Sequence, residues 1–428
     1  MIKRVFLLLD LILFFQMVLH EKMNSAQTIM WTLILLLLPG VGTVLYLLIG
    51  SSFPTRWGRS RKAHAPVLSI TEDNDAFLFE GWEKTKPQML SDIEQAKQTI
   101  FMSFYGFADD EEGHQWLTAL CDAAQRGVKV YVLFDAFGSL QTSIHYFQPL
   151  IEKGGEVHRI RPWPTQYRYH RKMLIVDGLV AWTGSMNIGN KYINRHPIKT
   201  PWRDTQVRIL GSAAREMEKL FLYDWRCFGN SHILAENAEP LPHTGNTKIS
   251  ILYSGAGAHA NEIKNAWLDL INGAQKSLLL QSPYLVPDDA VLSALQSAAR
   301  RGVKVIIMLP GISSGPHIQP FTDENAILLM NCGAKILLYP GYLHAKTLCQ
   351  DEAITCIGSV NLDVRSMKLD EENSAMIQDA AFSHQFVKQF QANAETCTLF
   401  DPAKAEKRLP EHARYVFCMR SYNQGDEK

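Results

Sequence analysis

The sequence predicts an α/β protein of two tandem α/β/α sandwich halves, paired as a pseudo-dimer behind an N-terminal transmembrane hairpin. Three observations carry that expectation. A short motif containing His and Lys occurs twice at matched spacing, apolar strands alternate with helices in the same order in each half, and residues 28–50 hold 23 residues without a charge.

The chain divides into an anchor at 1–52, a linker at 53–65, a first half at 66–245 and a second at 246–428. In the first half, a helix near 88–98 leads to the strand TIFMSFYGF, then a helix at about 113–125 and the strand VKVYVLFDA. The second half repeats the order with a helix at 260–274, SLLLQSPYL, DDAVLSALQSAAR and VKVIIMLP. The pentapeptide RGVKV recurs at 126–130 and 301–305, with Gly127 and Gly302 placed as helix C-caps. Continuous apolar strands between helices belong to a sheet covered on both faces. A site shared by two such units lies on their pseudo-two-fold axis.

The repeated motif is H-x-K-x-x-x-x-D: His170, Lys172 and Asp177, then His344, Lys346 and Asp351. GSMN (184–187) and GSVN (358–361) follow, so the step from His to Asn is 17 residues in both copies and the copies lie 174 apart. The apolar residues after each His read as a strand, where alternate side chains share a face, so each His and Lys point to one side. Asp177-Gly178 is a hairpin turn signal, which favours a bracing role for the Asp over contact with substrate.

Two histidines, two lysines and two asparagines suit phosphodiester chemistry without a metal. Ammonium and amide donors neutralise the phosphodiester and stabilise charge building on its equatorial oxygens. One imidazole can attack phosphorus while the other protonates the leaving alkoxide and then deprotonates the incoming hydroxyl. The sequence has no C-x-x-C, H-E-x-x-H or paired His at ligand spacing, so no metal and no cofactor are expected.

The twin motif resembles the phospholipase D superfamily, and within it bacterial cardiolipin synthase. The resemblance runs from about Gln27 to about Met376, through RGVKVYVLFDAFGS, HRKMLIVDG, TGSMNIGNKY, PWRDTQVRI, SPYLVPDDAVLSAL, YPGYLHAKT and GSVNLDVRS. It implies two phospholipase D-like halves, with His170, Lys172, Asp177, His344, Lys346 and Asp351 in the catalytic set. Ser185, Asn187, Ser359 and Asn361 are expected to bind substrate. Asp204 and Glu372 (with Glu371 as the competitor) are expected to orient the imidazoles. The family pattern is broken at Asn190-Lys191, where an acidic pair is common, at Gln206 for His, at SGAG (254–257) for SGPD, and at Asp370 for Asn. These departures bear on the acceptor, not on the phosphodiester chemistry.

The formal net charge of zero gives no basic field for nucleic acid. Seven scattered cysteines fit reduced thiols in a cytoplasmic domain. Residues 28–50 are long enough to span a bilayer, whereas 5–19, interrupted by Asp10 and Gln16, could span, lie at the interface or serve as a signal segment. Lys3 and Arg4 before the first run, and Arg56, Arg59, Arg61 and Lys62 after the second, put both ends on the cytoplasmic side of the inner membrane. Aromatic and basic residues around the first motif (Trp163, Tyr167, Arg168, Tyr169 and Arg171, then Lys191, Tyr192, Arg195, Lys199, Trp202 and Arg203) are either a solvated loop or a rim facing lipid headgroups.

The resemblance to cardiolipin synthase implies a membrane-bound phosphatidyltransferase that uses anionic phospholipid, condensing two phosphatidylglycerol molecules through a phosphohistidine. Its rivals are a phospholipase D-type hydrolase, a phosphatidylserine synthase, use of phosphatidylethanolamine as co-substrate, a nuclease, and a non-enzymatic membrane scaffold. The oligomeric state is not legible.

Overall fold

A computed structural model of the chain describes residues 9–17, 25–50, 65–161, 167–195, 201–229, 244–255, 261–313 and 315–408. The linker at 53–65, apart from Ala65, lies outside them, as do Trp163, Lys199 and Cys418.

The strands of the first half are β1 (Ile70–Glu80), β2 (Thr99–Phe104), β3 (Lys129–Asp135), β4 (Glu156–Ile160), β5 (Met173–Val176), β6 (Val180–Gly184), β7 (Trp202–Arg203) and β8 (Thr205–Leu210). Those of the second are β9 (Thr247–Ser254), β10 (Ser277–Gln281), β11 (Lys304–Pro310), β12 (Lys335–Tyr339), β13 (Tyr342–Leu343), β14 (Thr347–Gln350), β15 (Ile354–Gly358), β16 (Glu372–Gln378) and β17 (Thr398–Leu399). All but β7 and β13 form one sheet, ordered β17-β12-β11-β10-β14-β15-β16-β9-β1-β8-β6-β5-β2-β3-β4. From the antiparallel β1–β9 pair at its centre, the order outward is equivalent on the two sides until β17.

Alternation along the strands feeds two layers. Ile100, Met102 and Phe104 of β2 pack under helices Trp82–Gln95 and Glu111–Gln125, whereas Phe101 faces the opposite side. There helix Ser212–Phe228 buries Met217, Phe221 and Trp225 against strands of both halves, including Ile209, Ile251 and Ala375. That shared layer ties the halves together, and truncating Trp225 costs about 3–5 kcal/mol by the usual scale for buried aromatics.

Both expected C-caps occur. Gly127 and Gly302 have φ of 93° and 87°, and the paired bonds Val128 N–H to Ala123 O and Val303 N–H to Ala298 O, both 3.1 Å, close Schellman turns. The first helix, placed by sequence near 88–98, runs instead over Trp82–Gln95, with Pro87 in its interior.

The apolar run at 28–50 is not one helix. Helix Ser25–Leu37 stops at Leu38-Pro39-Gly40, and the chain resumes at Val41 and turns back. Pro cannot donate the next helical bond and Gly40, at φ 84°, reverses the chain. Trp31 meets Tyr46 at 5.4 Å between ring centroids, and Asp10 from the helical stretch at 9–17 accepts a bond from Thr43. Among the described residues no helix is long and apolar enough to cross a membrane.

Candidate active site

His170 and His344 line one cavity of about 600 Å³ at the seam between the halves, together with Asn187 and Asn361. Two short parallel backbone pairings across the seam bring them there. On one side Glu371 N–H bonds to Arg168 O and His170 N–H to Glu371 O, each at 2.8 Å. On the other, β13 runs beside β7, and His344 N–H bonds to Arg203 O at 2.7 Å. Each pairing sets a His from one half beside a carboxylate from the other. His170 Nδ1 lies 2.9 and 3.0 Å from the two oxygens of Glu372, and His344 Nδ1 lies 2.7 Å from Asp204. Nε2 of each ring is thereby the atom left for chemistry. Glu371, the competitor for this role, instead pairs with Arg171 at 2.9 Å.

The lysines sit behind the histidines. Lys172 Nζ donates to His170 O at 2.6 Å and Lys346 Nζ to His344 O at 2.5 Å, and both side chains are buried. The strands begin only after each Lys, at Met173 and Thr347, so strand alternation does not set His170 and Lys172. Both nevertheless approach one ring, Tyr105, which lies 4.8 Å from the His170 ring and 5.5 Å from Lys172 Nζ. Asn187 Oδ1 accepts the Gly106 N–H at 2.9 Å, which leaves its NH2 to donate. Asn361 donates to Ser366 Oγ at 3.1 Å, and its buried oxygen has no partner among the described residues.

The structure places four expected site residues elsewhere. Asp177 and Asp351 are about 20 Å along the strand from their histidines, at 3.3 Å per residue. Each occupies the left-handed region, with φ 54° and 53°, and braces the start of a strand. Asp177 accepts the N–H groups of Lys97, Gln98 and Thr99 at 2.8–2.9 Å. Asp351 does the same for Gln275, Lys276 and Ser277 at 2.7–2.9 Å. Neither forms an ion pair with His170, Lys172, His344 or Lys346 among the described residues. Ser185 and Ser359 are fully buried beneath the cavity and do not line it. Ser185 Oγ accepts the Thr205 N–H at 2.9 Å; Ser359 Oγ accepts the Asn373 N–H at 3.0 Å and donates to Glu372. They hold the strands that carry the orienting carboxylates.

Burial and the neighbouring cations set the charges. Desolvation, with Lys172 and Lys346 close by, presses the His170 imidazole well below its ordinary value. Desolvation and Lys346 bring His344 down to about 3 against the pull of Asp204. The lysines are lowered too, chiefly by desolvation: Lys172 to about 8 and Lys346 to about 7. The two carboxylates differ. Burial pushes Glu372 up to about 7 despite Lys172. At Asp204 burial acts in the same direction, but His344 and Lys346 outweigh it and hold the carboxyl below its usual range.

Several residues of the site carry no local signal. Asp135 accepts the N–H groups of Phe137, Gly138 and Tyr169 and so fixes the loop before His170. Arg171 is 1% exposed; it pairs with Asp224 and Glu371 and donates to Glu372 O at 3.1 Å. Tyr169 and Arg171 therefore belong to the seam, not to an exposed rim. Tyr192, Trp202 and Tyr342 form an aromatic wall beside His344, at 6.5, 5.0 and 6.2 Å between ring centroids. Arg168, Arg365 and Asp370 line another part of the cavity.

Two α/β halves joined through a central strand pair, each giving a His-Lys motif to one cavity, define a phospholipase D-like protein. Residues 89–225 and 267–394 match the family described as cardiolipin synthase, PLD-like domain, and residues 5–51 match the phospholipase D-nuclease N-terminal family. The chain belongs to the cardiolipin synthase family. It is 32% identical to a cardiolipin synthase of Clostridium perfringens, over 91% of this chain and 92% of that one. It is 29% identical to the major cardiolipin synthase ClsA of Bacillus subtilis, over 90% of each. Among solved structures, the phosphatidylserine synthase of Haemophilus influenzae superposes with a TM-score of 0.63 at 17% identity, over 84% of this chain and 96% of that one.

Proposed function

We propose that the chain is a phosphatidyltransferase that condenses two phosphatidylglycerol molecules into cardiolipin and glycerol. The observation that carries this is the crossed arrangement: two imidazoles on one cavity, each held at Nδ1 by a carboxylate of the opposite half. In the first step the Nε2 lone pair of His170 attacks phosphorus. The bond from phosphorus to the glycerol oxygen breaks, and that oxygen takes the Nε2 proton of His344. Lys172, Lys346 and the two asparagines oppose the charge on the equatorial oxygens. In the second step a terminal hydroxyl of another phosphatidylglycerol gives its proton to His344 and attacks phosphorus. The N–P bond breaks and its electron pair returns to His170. One phosphodiester is exchanged for another, so the balance needs no nucleotide.

The carboxylates fit this division of labour. Asp204, held ionised, favours the His344 imidazolium that an acid requires, working against the burial and the Lys346 charge that bring His344 down to about 3. Glu372, pushed toward its neutral form, gives His170 less support as a cation and suits a nucleophile that enters neutral.

The N-terminal segment is the membrane contact. Ile29, Leu33, Leu36, Leu37, Val41 and Val44 are exposed around the Pro39-Gly40 turn, a concentration of apolar surface that favours a bilayer. The basic residues flanking the anchor favour the cytoplasmic side for the catalytic halves.

Full-length protein incubated with vesicles of labelled phosphatidylglycerol alone is expected to release cardiolipin and glycerol. Phosphatidic acid as the sole lipid product would replace the synthase reading with a hydrolase.

A further inference from the structure

Condensing two phosphodiesters brings a second negative charge into the cavity, after Lys172 and Lys346 have been committed to the first. The second charge needs a cation of its own within reach of the attacking hydroxyl. On the proposed route that hydroxyl arrives where glycerol left, on the His344 side. The arginines of the cavity lie beside a carboxylate, Asp370: Arg365 Nε donates to it at 3.1 Å, and so does the backbone N–H of Arg168 at 3.1 Å.

Lys191 is differently placed. It lines the cavity from the short turn Asn190–Tyr192 and forms no ion pair with a carboxylate among the described residues. Asp110 fixes that turn by accepting the Asn190 N–H at 2.8 Å, while its other oxygen accepts the Gly113 N–H at 3.0 Å. Lys191 Nζ lies 4.7 Å from the centre of the Tyr192 ring, and that ring lies 6.5 Å from the His344 ring. The ammonium is thus within about 11 Å of the acid-base imidazole. A glycerol headgroup hydrogen-bonded to His344 at one end, with its own phosphate contacting a lysine at the other, bridges such a gap. Burial lowers the Lys191 ammonium from its ordinary value against the pull of Asp110, and in the same low-dielectric setting an anion beside it is attracted more strongly than in water.

The geometry points to Lys191 as the contact for the phosphate of the acceptor lipid, making it the residue that selects an anionic phospholipid over an uncharged alcohol in the second step. This rests on the proposed transfer reaction. The test uses full-length protein, a p-nitrophenyl phosphodiester of diacylglycerol as donor, and phosphatidylglycerol competing with free glycerol as acceptor. Loss of one charge-assisted contact corresponds to about a tenfold change. Lys191→Gln is therefore expected to lower the preference for phosphatidylglycerol over glycerol about tenfold. Lys191→Glu should lower it further, and Lys191→Arg should restore it. Because the readout is a ratio of two products of one adduct, loss of folded protein does not move it. If wild type transfers to phosphatidylglycerol and Lys191→Gln keeps the wild-type ratio, the role of Lys191 is overturned and the synthase reading stands. If wild type makes no transfer to phosphatidylglycerol, both fall.

Discussion

His170 and Glu372 are 202 residues apart and belong to different halves, yet Nδ1 of one lies within 3.0 Å of both carboxylate oxygens of the other. His344 and Asp204 make the mirror arrangement at 2.7 Å. Neither half therefore holds a complete His-carboxylate pair. Glu372→Gln and Asp204→Asn should each lower kcat by about 10²–10⁴-fold, the range for losing an oriented acid-base imidazole. Steady-state rates at saturating lipid check this, with thermal unfolding confirming that both variants are folded. A loss under threefold in either variant contradicts the orienting role.

The two aspartates of the repeated motif should behave differently. Asp177→Ala and Asp351→Ala each leave three backbone N–H groups without their carboxylate acceptor. The expected cost is about 1–3 kcal/mol of stability, read as a lower denaturant midpoint. The folded fraction should retain kcat within a few fold, because the carboxylates sit some 20 Å from the histidines along the strands. A loss of kcat comparable to that of a His variant, with no loss of stability, would return these residues to the catalytic set.

Affinity for a phosphodiester should depend on pH through the lysines. Burial lowers Lys172 to about 8 and Lys346 to about 7. A lowered pKa means that the ammonium charge is complete below that value and is lost as pH rises through it. Binding of a short-chain phosphodiester, whose own charge stays constant, should therefore be tightest below about pH 7 and weaken through about pH 8 and above. At about pH 7.5, binding should also take up protons, seen as a calorimetric enthalpy that varies with buffer. Affinity that is flat between about pH 6 and 9 contradicts the lowered values.

Much of the fold was legible because duplication displays itself in sequence. The twin H-x-K, the twin RGVKV and the capping glycines Gly127 and Gly302 located equivalent strands and helix ends, and Asp177-Gly178 announced its turn. The crossing of the carboxylates was not legible. Which His each carboxylate holds depends on residues 168–170 running beside 370–372, and 342–344 beside 202–203, and no local pattern encodes pairings of that separation. Arg171 looked like part of a basic cluster; only the fold shows it closed in between Asp224 and Glu371. In the apolar run at 28–50, hydropathy counted length while Pro39-Gly40, a strong local breaker, divided it. Ser185 and Ser359 share the motif of the cavity asparagines two residues on, but they lie just past the ends of their strands, where their hydroxyls accept the Thr205 and Asn373 N–H groups beneath the cavity.

The central claim is that two histidines from two halves act on one phosphorus, with His170 carrying the covalent adduct. A p-nitrophenyl phosphodiester supplies a leaving group that departs without much help from an acid, so the two roles separate. Protein quenched during turnover and mapped by mass spectrometry should carry a phosphohistidine at His170 in wild type and, at reduced yield, in His344→Ala. His170→Ala should carry none. An adduct on His344 in the His170→Ala protein would reverse the roles, and an adduct on neither histidine in wild type would contradict the covalent account itself.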